Sequence, residues 1–280
     1  MLHLQPIILI WNSTLEIKNS KSYTCLQKKD IHDISNYRPI SVLPVFSKIL
    51  ERLAYNRMSD FLYKNTILNE FQYGFMKNVS TEMALIDLHD YVVNSFANKL
   101  YTVGVFLDLS KAFDSIDYSI LLHKLSYYGI RGLPYSWFKS YLHNRTQVVS
   151  YNNVISDSSN ISFGVPQGSI LGPLLFLLFI NDLPNCSKIL KFILFADDTN
   201  ILYSTDDHLS LSTNLNNELL KVSKWFNANK LTLNIDKSNY MLFYTVKQKQ
   251  KYSSLQMLVV KLNNSSFERV YCTRFLGVYI

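Results

Sequence analysis

Two adjacent carboxylates, Asp197 and Asp198, stand between two mostly apolar runs, Ile189 to Leu194 and Asn200 to Tyr203. Runs of this length and composition are buried strands, and charged side chains between them force the chain to reverse direction, so the stretch predicts a β-hairpin with the aspartates at its tip. Aspartate is also an ordinary turn residue, because its side chain bonds to its own backbone, and the pair alone is compatible with nothing more than a turn. Asp108 changes the balance, because a third apolar strand, Tyr101 to Leu107, runs directly into it. If these strands lie side by side, their terminal carboxylates converge and repel one another unless a cation lies among them. Mg²⁺ takes oxygen ligands, keeps waters, and is usually held by one or two carboxylates plus substrate phosphates. Two such ions about 3.5–4 Å apart clamp the attacking and leaving oxygens of an in-line phosphoryl displacement. The pattern therefore points to two-metal nucleotidyl transfer.

The rest of the composition is consistent with a polyanion partner. The chain of 280 residues is 48% hydrophobic and 18% charged, which describes a folded protein with a substantial core, and its net charge is +7, with most of the excess beyond residue 200. A basic surface kept for solubility would give the same balance. Cys25, Cys186 and Cys272 are scattered and form no CxxC pair, which argues against a disulfide framework or zinc site and for a reducing, intracellular compartment. Met1 to Trp11 has neither a basic start nor a small-residue cleavage site, so no signal peptide is expected. The longest apolar run, Leu174 to Ile180, falls far short of the roughly 20 residues of a membrane span and predicts a buried helix, with no membrane partner.

Along the chain, Pro39 holds Asn36 to Ser41 extended. Apolar residues at 46, 49, 50, 53, 58, 61 and 62 predict an amphipathic helix ending near Lys64. Glu70 to Phe75 is a loop, and Ser80 or Thr81 caps a second helix reaching about Asn98. After the Asp108 strand come a helix over Ser119 to Tyr128 stopped by Gly129, another opening at Pro134, and a strand over Thr146 to Tyr151. Gly164 to Pro173 bends the chain into the apolar helix. Leu215, Leu219, Val222 and Phe226 mark a further helix, and strands are expected over Leu231 to Ile235, Tyr240 to Val246 and Leu255 to Lys261, with Lys247 to Lys251 as a solvated loop. The order around the carboxylates is a βαββαβ plan, a four-stranded antiparallel sheet backed by helices.

Phe106 to Asp114, Gly164 to Pro173 and Phe195 to Asp198, together with Asn36 to Ser41, Ser47 to Glu51, Gln72 to Phe75, and Ser140 to Leu142 with Arg145, resemble the reverse transcriptase of non-LTR, LINE-type, jockey-like retrotransposons. The resemblance covers residues 28–280 and implies an α+β right-hand polymerase, with fingers at about 28–100 and a palm at about 101–280. It implies that Asp108 and Asp197, with Asp198 beside them, hold two Mg²⁺ ions. Phe113 matches the steric gate that selects deoxynucleotides, although plain core packing is its alternative. Gln167 and Gly168 match a loop against the incoming nucleotide, or else form only a turn. Lys28 or Lys29, with Arg38, match cations that grip the triphosphate. Lys237 matches a later palm lysine, and Phe275, Leu276 and Gly277 the primer grip. The implied partners are an RNA template, a DNA primer and deoxynucleoside triphosphates.

Departures from the pattern set further expectations. Met76 stands where the family usually has arginine, and residues 1–27 do not continue the family pattern. The match stops at Ile280, immediately after the primer grip, so the thumb is expected to be absent and processivity poor. Intron maturases and telomerase-like polymerases share the chemistry. A truncated, inactive relic that acts at most as an RNA-binding module is the alternative function.

Overall fold

The computed structural model describes residues 19–26, 37–151, 154–251, 258–262 and 265–280, which form an α+β fold. They divide into two compact units that interleave in sequence: the described residues up to Leu68 with Lys111–Ile180, and Asn69–Ser110 with Asn181–Ile280. Sequence-local patterns cannot show such a division, and it follows contacts, whereas the fingers and palm bounds follow the family.

The first unit opens on the antiparallel pair β1 (Asn19–Leu26) and β2 (Tyr37–Val42), followed by α1 (Val45–Lys64). The buried stripe of α1 is Leu50, Ala54, Met58 and Leu62, one residue per turn, while Phe46, Ile49 and Leu53 are exposed. The chain then enters the second unit for α2 (Thr81–Ala97) and β3 (Tyr101–Leu107). It returns for α3 (Tyr118–Tyr127), α4 (Leu133–Leu142), β4 (Arg145–Tyr151), β5 (Val154–Ile155), β6 (Ser159–Ile161) and α5 (Gly172–Ile180). β4 runs parallel to β1 and antiparallel to β5 and β6. Every residue of α5 from Leu174 to Ile180 is buried, as an apolar run without a polar face requires. Buried Lys124 of α3 donates to the Phe179 carbonyl at 2.6 Å, placing a cation at the negative end of that helix.

The second unit is completed by β7 (Lys191–Phe195), β8 (Asp198–Thr205), α6 (Leu211–Ala228), β9 (Asn239–Phe243), α7 (Val246–Lys251), and short strands β10 (Lys261–Leu262), β11 (Ser265–Ser266), β12 (Glu268–Arg269), β13 (Arg274–Phe275) and β14 (Val278–Tyr279). Its main sheet has the order β12-β9-β3-β8-β7, with β3 antiparallel to both β8 and β9. That is the split βαβ arrangement expected for the palm. All seven residues of β3 are buried, which suits a central strand covered on both faces. Gly104 interrupts its apolar run because a Cβ there would meet the Phe243 ring at 3.0 Å and the Leu202 and Phe106 side chains at 3.2 Å.

Three expectations are corrected. No strand forms over Leu231 to Ile235: Leu233 makes a single bridge to Leu109, after which Ile235–Lys237 turns in a 3-10 helix. β9 ends at Phe243, and the segment expected to be a solvated loop is helix α7. Thr245 and Gln248 cap it reciprocally, since the Gln248 N–H donates to Thr245 Oγ1 and the Thr245 N–H to Gln248 Oε1 at 2.7 Å. The strand expected over Leu255 to Lys261 lies partly outside the described residues, and Lys261–Leu262 pairs with β11. Among the described residues no helix is long and apolar enough to cross a membrane.

Candidate active site

β7 and β8 form the expected hairpin: Phe195 faces Asp198 in register, leaving Ala196 and Asp197 as a two-residue turn. β3 pairs with β8 as far as Leu107 opposite Thr199. Asp108 therefore leaves β3 at the same end of the sheet at which Asp198 enters β8, and Asp197 lies in the turn beside them. Their mutual influence is visible in protonation: partial loss of hydration, then repulsion from Asp197 and Asp108, pushes the Asp198 carboxyl up to about 6. Residue Asp198 is exposed as a whole, so water screens part of this effect.

The backbone of Asp108 is held at both polar groups. Its N–H donates to Ser238 Oγ at 3.0 Å, its carbonyl accepts from the Asn234 N–H at 2.9 Å, and Ser238 Oγ donates to the Asn234 carbonyl at 2.7 Å. The segment mistaken for a strand is thus the loop that fixes Asp108. Lys237, on the same loop, places Nζ 3.7 Å from Asp108 Oδ2. Ser238 carried no recognisable sequence signal.

A second segment holds the turn itself. Gln72 is buried, and its Oε1 accepts from the Gly74 N–H at 2.7 Å and the Ala196 N–H at 2.9 Å. The Tyr73 N–H donates to the Leu194 carbonyl at 2.7 Å, and the Leu194 N–H to the Phe71 carbonyl at 2.8 Å. In the sequence, Gln72 to Phe75 matches a family block but signals no role of its own.

The residues expected to bind nucleotide, where described, belong to the first unit. The Phe113 ring stacks on Phe176 with centroids 4.6 Å apart, and the residue is half-buried, so it is packed partly into the core. The Phe113 carbonyl accepts from the Val165 N–H at 2.8 Å, and Gln167 Nε2 donates to both Asp114 carboxylate oxygens at 3.0 Å. Asp114, to which sequence reasoning gave no role, thereby joins the Phe113 and Gln167 segments. The Gln167 carbonyl accepts from the Ser41 N–H at 2.8 Å. Gly168 has φ +108, and a Cβ there would meet the Ser41 carbonyl oxygen at 2.8 Å. Ser41 lies in β2, the strand that also carries Arg38, whose backbone pairs with Cys25. Lys28 and Lys29 lie outside the described residues.

A buried network anchors this loop. Glu51 of α1 accepts from Tyr141 Oη and from the Ile170 N–H, both at 2.7 Å, and burial raises its pKa above the ordinary carboxylate value. Buried Arg145 lies over the Tyr141 ring at 5.0 Å. Back in the second unit, Leu276 and Gly277 form the turn between β13 and β14, with φ 48 and 90. Phe275 is buried, packed on Phe106 at 6.5 Å between centroids, so it anchors this hairpin from within the core.

Among the described residues no three His, Cys, Asp or Glu side chains stand close enough to enclose an ion by themselves. Asp198 is raised first by burial and then by repulsion from Asp197 and Asp108; a divalent cation relieves that repulsion, and Mg²⁺ retains waters and draws on substrate phosphate oxygens. All-oxygen donors on two adjoining strand ends fit that ion.

The expected four antiparallel strands are β7, β8, β3 and β9, and the sheet is extended to five by β12, which runs parallel to β9; a βαββαβ core with aspartates at the end of its central strand and at its hairpin tip has the fold of a polymerase palm. The match to the reverse transcriptase (RNA-dependent DNA polymerase) family extends over residues 26–280, and the chain belongs to that family. Relatives from non-LTR retrotransposons include the jockey, X-element and BS polymerases. The RNA-directed DNA polymerase from mobile element jockey of Drosophila melanogaster is 32% identical over 258 residues, covering 86% of this chain and 28% of that protein. The probable RNA-directed DNA polymerase from transposon X-element of the same organism is 33% identical, covering 75% of this chain and 23% of that protein. The chain thus spans about a quarter of the length of these relatives. Telomerase from Candida albicans shares the fold, with a TM-score of 0.56 at 12% identity over 98% of this chain and 47% of that one.

Proposed function

We propose that the chain is the fingers and palm of an RNA-directed DNA polymerase, with fingers at about 28–100 and palm at about 101–280. Its substrates are an RNA template, a DNA primer and deoxynucleoside triphosphates. The primer 3′-oxygen forms a bond to the nucleotide's α-phosphorus, the bond from that phosphorus to the bridging oxygen breaks, the hydroxyl proton is lost, and pyrophosphate leaves. The observation that carries this reading is the placement of Asp108, Asp197 and Asp198 at one end of β3 and β8 by the strand register.

Asp108, Asp197 and Asp198 would hold two Mg²⁺ ions. When bound, these ions supply charge stabilisation at the attacking and leaving oxygens. The Asn234–Ser238 loop keeps the Asp108 backbone in place. Phe113 screens the sugar, Gln167 and Gly168 line the nucleotide, and Lys29 and Arg38 attract its triphosphate. Leu276 and Gly277 meet the primer from a hairpin anchored by Phe275.

The test is primer extension on an RNA template, with Mg²⁺ present or chelated, comparing wild type with the double variant Asp197→Ala, Asp198→Ala. Extension that requires both the metal and the aspartates is expected. If wild type and variant are both folded, both bind RNA and both fail to extend, the polymerase reading fails and an RNA-binding module is the function left.

A further inference from the structure

The turn that carries Asp197 is conformationally expensive. A two-residue hairpin turn with φ > 0 at its first central residue normally has glycine there, and here Ala196 occupies the position at φ +55. Strained backbone persists where its surroundings over-determine it. The surroundings of Ala196 are the segment Phe71–Gly74. Both of its bonds to Leu194 fix this segment against β7, and Gln72 Oε1 then accepts from the Ala196 N–H. Gly74 lies so close that a Cβ would fall 2.2 Å from Ala196 N and 2.9 Å from the Phe195 carbonyl carbon.

The segment is tied in turn to the elements around it. Tyr73 Oη donates to Asp87 Oδ2 at 2.8 Å, Lys191 Nζ pairs with the same oxygen at 2.9 Å, and Lys191 lies over the Phe71 ring at 4.9 Å. α2, β7 and the segment therefore form a closed bracket. Gln72 Nε2 is buried and has no hydrogen-bond partner among the described residues. A carboxamide kept for its acceptor while its donor goes unpaired is a poor stabiliser. Its use lies in the placement of the group it accepts from.

We propose that Gln72 is a positioning residue that sets the Asp197–Asp198 turn for metal binding, acting through the Ala196 N–H. This rests on the polymerase reading of those aspartates. Metal-assisted chemistry tolerates displacements of only about 0.5 Å, so a turn free to relax about φ of Ala196 would misplace Asp197.

The experiment uses the full chain and the variants Gln72→Met, which keeps length and burial without the acceptor, and Gln72→Met combined with Ala196→Gly. Single-turnover extension is measured per titrated active site as a function of Mg²⁺ and of nucleotide. Gln72→Met is expected to lower the rate about 10- to 100-fold, the usual effect of losing a group that orients a metal ligand. It should also raise the half-saturating Mg²⁺ several-fold, with little change in nucleotide KM. Ala196→Gly removes the clash that makes the bracket necessary, so part of the loss should return in the double variant. A rate per active site and a Mg²⁺ dependence equal to wild type would overturn the proposal, as would strictly additive effects. If Gln72→Met does not fold, wild-type hydrogen exchange decides: slow exchange at the Ala196 amide is expected, and exchange at the rate of an open turn refutes the bracket. A wild type without Mg²⁺-dependent extension removes the polymerase premise itself, which is a different failure from equal rates in an active enzyme.

Discussion

Replacing Gly74 by alanine tests the bracket from its other side. The new Cβ would lie 2.2 Å from Ala196 N and 2.9 Å from the Phe195 carbonyl carbon, so the hairpin and the Phe71–Gly74 segment must move apart by more than about 1 Å to reach ordinary contact. Both neighbours are backbone atoms and cannot swing aside as a side chain would. The bonds at risk are Tyr73 N–H to Leu194 O, Leu194 N–H to Phe71 O and Ala196 N–H to Gln72 Oε1. At about 1 kcal/mol net for each, losing them costs about 3 kcal/mol. The backbone of Gly74 itself is not in the left-handed region, so alanine gains about 0.4–1 kcal/mol through the unfolded state. The net expectation is a loss of about 2–3 kcal/mol. For a chain of this size that corresponds to a drop in melting temperature on the order of 3–6 °C. Thermal unfolding followed by circular dichroism reads the stability, and extension per folded molecule reads the turn; both should fall. A melting temperature within about 1 °C of wild type, with an unchanged rate, would refute the reasoning, because a 2.2 Å contact cannot be absorbed silently.

Metal dependence should be linked to pH. Because the Asp198 carboxyl is pushed up from 3.8 to about 6 without metal, the folded state between those values holds a proton that the unfolded chain has released; metal-free stability therefore declines as pH rises through that window. Mg²⁺ must displace the same proton, so the half-saturating Mg²⁺ in primer extension should be level between pH 7 and 8 and rise below pH 6 by up to about tenfold per unit; a level requirement down to pH 5 would contradict the shared carboxylate site. In the first unit, Glu51→Ala leaves the Tyr141 hydroxyl and Ile170 N–H without their acceptor and removes the nearby countercharge of buried Arg145, a loss on the order of 3–5 kcal/mol in urea unfolding. Glu51 has its pKa raised chiefly by burial, so its contribution is favourable below 4.5 and is lost as pH rises through the folded value; Glu51→Gln should abolish that part of the pH slope, and an unchanged slope would assign it elsewhere.

The strands of the site were legible because their signals are local. β3 is an unbroken apolar run ending in a charge, the hairpin is two apolar runs with charges between them, and α6 repeats Leu215, Leu219, Val222 and Phe226 on one face. Carboxylates are excluded from a buried ladder, so their positions mark where strands end, and strands that end together bring them together. Helix α7 had a local signal as well, the capping pair Thr245 and Gln248, but a run of lysines and glutamines hid it behind the appearance of a solvated loop. Leu231 to Ile235 misled for the opposite reason: its alternation is real, yet its backbone groups are taken by Asp108 and Ser110, leaving room for one bridge and then a turn.

What could not be read are the groups that hold the backbone of the aspartate segments from far along the chain. Ser238 meets Asp108 across 130 positions, and Gln72 meets Ala196 across 124. Each is a small or polar residue in a segment without periodicity, and each acts on a main-chain group that every residue possesses. No pattern in the sequence distinguishes the Ala196 N–H from any other until the register of β7 and β8 is known. Carboxylates declare themselves by chemistry, whereas the atoms that position them are declared only by the pairing of strands. This difference makes Gln72 the informative residue to change: a substitution there leaves all three aspartates present and alters only where the turn between two of the strands can rest.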